Sequence, residues 1–259
     1  MSTAVTRRPR FPLRRSRRRD LPEVPGRADV LALSALVLAY PDDDFLAAAG
    51  DLGTAIHALP ASPAADRLRA FWAETAEWDP EQWREHYVQT FDLRRSTAPY
   101  LTYYLHGDTR RRGAALLALK QTYRACGFVP PEDELPDHLP VVLEFAARAG
   151  TGAGESALRA HRAGFEVLRQ ELTRRESPYH RVLDAVAVVL GPVADAVRRR
   201  ADAIALAGPP ADDAGLGAPL PGYGEGMPYP PSAACAPART AAVPLEFPTT
   251  RPAPRPEGP

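Results

Sequence analysis

The sequence predicts an all-α protein, a single globular helical-bundle domain with a disordered tail at each end. Three observations lead there. Between Ala28 and Leu206 apolar residues recur at three- and four-residue spacing. The same stretch lacks the period-two runs of β-branched residues that mark strands. Outside it the composition changes. Residues 1–26 are rich in Arg and Pro, residues 207–259 in Pro, Gly and Ala, and about half of the 29 prolines follow Leu206. Neither flank offers enough apolar surface to offset the entropy of ordering it. The domain is therefore expected over 27–206.

Each helix carries its own signal. Val30, Leu33, Val37 and Tyr40 share one face, with Leu31 and Leu38 on others, so the first helix is expected to be buried on several sides. Phe45, Ala49, Leu52, Ile56 and Leu59 continue at helical spacing, weakened by Gly50 and Gly53. Ser62-Pro63 caps a helix bearing Leu68, Phe71 and Trp72. Asp79-Pro80-Glu81-Gln82 combines a cap, a first-position proline and a glutamine three residues after the cap. The helix it opens carries Trp83, Tyr87 and Phe91 on one face. Beyond the aromatic segment Tyr100–Leu105, Asp108 is expected to cap a helix with Leu116, Leu119 and Tyr123 that stops near Gly127 and Pro130-Pro131. Leu139, Val142, Leu143 and Ala146 form the next core face. After a break at Gly150–Gly154, Leu158, His161, Phe165, Leu168 and Leu172 predict one more helix. A last hairpin uses Val182, Val186 and Val189 and, past Gly191-Pro192, Val193, Val197 and Ile204, with Arg198–Arg200 expected near its negative pole.

Composition narrows the function. Lys+Arg and Asp+Glu are equal at 32 each, so no global field favours nucleic acid or acidic partners. Cys126 and Cys235 are far apart and no histidine stands at ligand spacing from either, which argues against a metal site and gives no sign of an oxidising compartment. Thr6–Leu13 followed by the apolar run Val30–Tyr40 imitates a twin-arginine export signal. The run is too short to span a bilayer, and Asp20 and Glu23 interrupt the approach, so a cytoplasmic location without membrane insertion is expected. Nucleophile elbows, phosphate-cradling loops and H-E-x-x-H are absent, and no cofactor is expected.

Two segments stand out. In DELPDHLPVVLEF, Asp133–Phe145, Pro136 and Pro140 bracket Asp137-His138. Pro140 fits only the first turn of a helix. That places the cap at Asp137, with Pro140 third and unable to donate an N–H, so part of the Asp137 carboxylate stays free for an outside cation, while Glu134 and Asp133 add acidity. The plain alternative is simple capping. The other segment, YVQTFDLRRSTAPYLTYYLHGDTRRRGAALLALK, Tyr87–Lys120, places Arg110, Arg111 and Arg112 in a helix's first turn, against its dipole. Asp108, Asp92 or Glu134 could offset them, or an acidic client surface could. His57, His161 and His180 read as ordinary surface or helix-face residues.

These stretches resemble the nitrate reductase assembly chaperones of the NarJ type, within the TorD/DmsD-like redox enzyme maturation family. Glu134-Leu135-Pro136-Asp137-His138 matches the family's Glu-x-Pro-Asp-His element, and Tyr87 and Phe91 match its Tyr-x-x-x-Phe element. The resemblance implies a non-enzymatic, all-helical chaperone that binds the N-terminus of the apo catalytic (alpha) subunit of respiratory nitrate reductase. It would hold that subunit competent for molybdenum cofactor insertion and membrane-complex assembly, with cofactor-loading proteins as candidate further partners. The implied peptide site comprises Tyr87, Phe91, Glu134, Leu135, Pro136, Asp137 and His138, suited to a peptide with arginines and apolar residues. Asp137 favours the charged form of His138 and the helix N-terminus disfavours it, and if His138 matters, client affinity is expected to vary between about pH 5 and 8. Two alternatives remain at this stage: another molybdoenzyme of the same class as client, or an all-helical nucleic-acid-binding protein using the Arg-rich arm.

Overall fold

A computed structural model describes residues 23–208 and the strand Val243–Pro244. The arm expected over 1–26 and the tail over 207–259 lie mostly outside the described residues. Eleven α-helices occur among those described: α1 Arg27–Val37, α2 Asp43–Ala58, α3 Pro63–Thr75, α4 Pro80–Tyr87, α5 Leu101–His106, α6 Arg110–Ala125, α7 Leu139–Ala149, α8 Ala153–Ala160, α9 Arg162–Arg174, α10 Tyr179–Leu190 and α11 Asp195–Ala207. They form the single all-α domain that the spacing predicts.

Helix α1 lies at the centre, packed against α7, α10, α3 and α2. Its all-round apolarity makes this possible, since Val30, Leu31, Val37 and Leu38 are all essentially inaccessible. Each such side chain contributes about 1.5–3 kcal/mol relative to exposure. The α3–α10 and α7–α8 pairs close the core on either side, and α9 carries α5 and α11. Arg27, at the start of α1, forks onto the buried Glu155 of α8 and also donates to the Val189 carbonyl at 2.7 Å, tying α1, α8 and α10 together.

The two start signals hold: Ser62 accepts from the Ala65 N–H, and Asp79 and Gln82 close a reciprocal capping box. Asp42 caps α2 in the same way, accepting from the Phe45 N–H. Gly53 is required by close approach, because a Cβ there would stand 2.4 Å from Trp72 Nε1.

Three expectations need correction. Asp108 does not cap α6. Thr109 holds that position without a side-chain bond, and Asp108 instead takes Arg112 Nη1 at 3.0 Å. The Leu158–Leu172 helix is two, broken at His161, whose backbone (φ −100, ψ 18) leaves the helical range. That histidine is no surface residue, being 1% exposed with Nδ1 3.0 Å from the Ala157 carbonyl. Arg198–Arg200 sit in the first half of α11, which runs on to Ala207, so they do not offset its negative pole. A two-residue strand β1, Phe128–Val129, also pairs in parallel with β2, Val243–Pro244. Two residues are too few to show a period. Cys126, just before β1, is disulfide-bonded, which two scattered cysteines do not announce.

Candidate functional site

The two sequence segments meet at one place. Residues 98–102 run beside residues 135–139. Leu139 N–H donates to the Pro99 carbonyl at 2.7 Å, Leu101 N–H donates to the Asp137 carbonyl at 3.1 Å, and Tyr100 forms an antiparallel bridge with His138. Tyr123 Oη of α6 adds a 2.6 Å bond to the Pro136 carbonyl. Two separate stretches, residues 98–102 and α6, therefore fix the Glu134–His138 backbone.

The capping assignment is corrected here. His138, not Asp137, is the N-cap of α7, with Leu139 first and Pro140 second. Pro140 still sits where its missing N–H costs nothing. Asp137 has turned inward and is fully buried. Its Oδ2 accepts from Thr102 N at 3.1 Å and Thr102 Oγ1 at 2.5 Å, and Arg112 Nη2 stands 3.8 Å away. Its Oδ1 has no hydrogen-bond partner. The cation near Asp137 is thus the chain's own. Arg112 is held by Asp108, by Thr102 Oγ1 at 3.4 Å, and between the Tyr100 and Tyr103 rings at 5.7 Å from each. This answers half of the first-turn puzzle. Arg112 is built into the fold, whereas Arg110, Arg111 and Asp92 are exposed.

Glu134 and Leu135 form the outer layer. Glu134 Oε1 accepts from Tyr100 Oη at 3.3 Å and from the Leu135 N–H at 2.7 Å, while Oε2 lies 3.3 Å from His138 Nδ1. The His138 ring sits over Tyr100, centroids 5.2 Å apart. Burial drives the imidazolium down to about 4 against the pull of Asp137. Near neutral pH His138 is therefore uncharged, which takes it out of a pH dependence of client affinity between about pH 5 and 8. Among the five residues of this element only Glu134 and Leu135 reach solvent, Leu135 being 39% exposed. Pro136, Asp137 and His138 are the platform beneath them.

Tyr87 and Phe91 are buried too, at 4% and 3% exposure. They pack around Tyr179, with Phe91 at 4.9 Å and Tyr87 at 6.3 Å between centroids, and Tyr40 meets Tyr87 edge-on at 5.4 Å. A π-helical turn, Val88–Asp92, follows α4 and closes with Leu93 N–H on the Val88 carbonyl. Such turns often mark functional positions. The Tyr87 hydroxyl is raised well above its ordinary range, first by burial and then by Tyr179, Asp92, Tyr100 and Glu134. The aromatic cluster and the acidic loop are therefore within electrostatic reach of each other.

Thr102, Tyr100 and Arg112 do most of the positioning, and sequence reasoning passed over the first two. The signal was present in a threonine within the apolar YLTYYL, whose hydroxyl must find a partner once buried. Two surface cavities of about 550 and 530 Å³ lie elsewhere, one between α5, α9 and α11 and one beside Arg162, and neither is lined by the candidate residues. Among the described residues no group of three His, Cys, Asp or Glu could hold a metal, and no helix is long and apolar enough to cross a membrane.

Residues 57–183, which include every candidate site residue, match the family described as nitrate reductase delta subunit. The chain is 38% identical over 159 residues to the probable nitrate reductase molybdenum cofactor assembly chaperone NarJ of Bacillus subtilis, covering 61% of this chain and 86% of that protein. It is 30% identical over 156 residues to NarJ of Escherichia coli K12, covering 60% and 66%. It is 40% identical over 168 residues to the nitrate reductase-like protein NarX of Mycobacterium tuberculosis, covering 64% of this chain but 25% of that longer protein.

Proposed function

This chain belongs to the nitrate reductase delta subunit family of redox enzyme maturation chaperones, and on that premise we propose that it binds the N-terminal peptide of an apo nitrate reductase catalytic subunit and keeps that subunit competent for molybdenum cofactor insertion. It acts in the cytoplasm, before membrane assembly, and performs no catalysis of its own. The observation that carries this reading is the Glu134–His138 element. It is braced by two separate stretches, yet offers only one carboxylate and one apolar side chain to solvent.

A site of this kind suits a peptide with cationic and apolar residues. Glu134 can pair with an arginine while Leu135 covers an apolar side chain. The exposed Glu132 and Asp133 extend the acidic rim. Asp137, His138 and Pro136 act from below by fixing the backbone, and Tyr87 and Phe91 hold the wall behind it. The peptide orders on binding and gives up part of its contact energy, which keeps release within reach of a folded client.

The test is complex formation with the apo catalytic subunit, followed by size-exclusion chromatography. The intact subunit should co-elute with this chain, and one lacking its N-terminal peptide should not. Equal co-elution of both would move the contact elsewhere on the client. No co-elution of either would remove the chaperone reading.

A further inference from the structure

The edge formed by β1 has a use that the chaperone reading does not absorb. Phe128 is buried, its ring 5.5 Å from that of Phe145, so it anchors the strand to α7. Val129 is 40% exposed, and the chain runs directly from it through Pro130–Asp133 into Glu134. The edge is thus continuous with the proposed peptide site. It is occupied by the chain itself, since Val243 pairs with Phe128 and Pro244 with Val129, in parallel.

The sequence around β2 has the chemistry assigned above to the client. Val243, Leu245 and Phe247 alternate with other residues, and Arg239 and Arg251 flank them. A sequence with alternating apolar residues and flanking arginines suits an edge bordered by Glu132, Asp133 and Glu134. Cys126, just before β1, is disulfide-bonded, and the sequence's other cysteine, Cys235, stands shortly before β2.

We propose that the β1 edge is a strand-addition site whose resident occupant is the chain's own segment at Val243–Pro244, and that this segment competes with the client peptide. Strand addition draws its affinity from backbone pairing and its selectivity from alternate side chains, so an internal segment and a client can share one edge. A covalently attached competitor acts at an effective concentration in the millimolar range. A segment whose own dissociation constant lies between about that concentration and roughly a tenth of it then weakens client binding by roughly 2- to 10-fold. The competition rests on the chaperone reading; the docking itself does not.

The test uses the full chain, wild type and Val243→Pro, the latter removing an N–H and opposing a regular ladder. Backbone amide exchange at Phe128 and Val129 is followed without client, and a peptide of the catalytic subunit's N-terminus is then titrated into each protein. Faster exchange in the variant and a roughly 2- to 10-fold tighter client peptide are expected. A free peptide spanning Arg239–Arg251 should also compete with the client on the variant. Faster exchange with unchanged client affinity would overturn the competition, and unchanged exchange would overturn the docking. Absence of client binding by both proteins would sink the chaperone reading while the exchange data still decide the docking.

Discussion

Thr102→Val isolates the bond that holds Asp137 in place. The Thr102 hydroxyl donates to the buried Asp137 carboxylate at 2.5 Å and accepts from Arg112 Nε at 3.4 Å. Valine nearly preserves the volume and removes both bonds. A hydrogen bond to a charged group is worth about 1.5–3 kcal/mol, and a buried acceptor left short of donors costs more than the average bond gains. Asp137 Oδ1 already lacks a hydrogen-bond partner, so the carboxylate has little to fall back on beyond the Thr102 N–H and Arg112 at 3.8 Å. The expected loss is about 2–3 kcal/mol, or a fall in Tm of roughly 5–10 °C for a domain of this size. Urea unfolding followed by far-ultraviolet circular dichroism, with m unchanged, measures it. A double-mutant cycle with Arg112→Met should show coupling, because the two side chains meet at one carboxylate. A loss below about 0.5 kcal/mol would refute the reasoning, since that is the range of an uninvolved surface change.

Four further outcomes follow from the same geometry. His138 has a folded pKa near 4 against an ordinary 6.5, so stability should be fully present above pH 6.5 and fall by roughly 2–4 kcal/mol as pH drops through the window toward 4; urea midpoints between pH 4 and 7 should lose much of that slope in His138→Gln. Gly164→Ala should destabilise by about 1–3 kcal/mol, because its Cβ would stand 2.7 Å from the Leu101 carbonyl where α5 crosses α9, and thermal melting reads it directly. Arg27→Ala leaves the buried Glu155 with Arg159 as its remaining ion-pair partner and should cost about 2–3 kcal/mol in urea unfolding. Tyr87→Ala should cost about 3–5 kcal/mol, whereas Tyr87→Phe should cost under about 1 kcal/mol, since its hydroxyl makes one long 3.5 Å bond to the Leu38 carbonyl.

The fold was legible wherever a local pattern decides the outcome. Ser62-Pro63 and Asp79-Pro80-Glu81-Gln82 predicted their helix starts correctly, because capping depends on a few neighbouring atoms. The Asp137 cap was misplaced because a distant residue, Thr102, offers its carboxylate two donors and outcompetes the local N–H groups. For the same reason the sequence could not show that Tyr87 and Phe91 converge on Tyr179, far along the chain. The break at His161 was hidden by an unbroken apolar spacing, which two successive helices can share. Burial of His138 was not legible either. Its neighbours in sequence suggest a titratable surface group, and only the packing of Tyr100 over it reveals a neutral one.

Substitutions at Tyr87 or Asp137 would confuse lost binding with lost packing, so the central claim is best tested on the side chains that reach solvent. Full-length protein, wild type and the Glu134→Gln/Leu135→Ser double variant, should be titrated calorimetrically with the N-terminal peptide of the nitrate reductase catalytic subunit. The account predicts saturable binding to the wild type, weakened at least about tenfold in a variant whose urea midpoint is unchanged, a loss of about 1.4 kcal/mol or more. Equal affinity in the two proteins, or no binding to folded wild type, would contradict it.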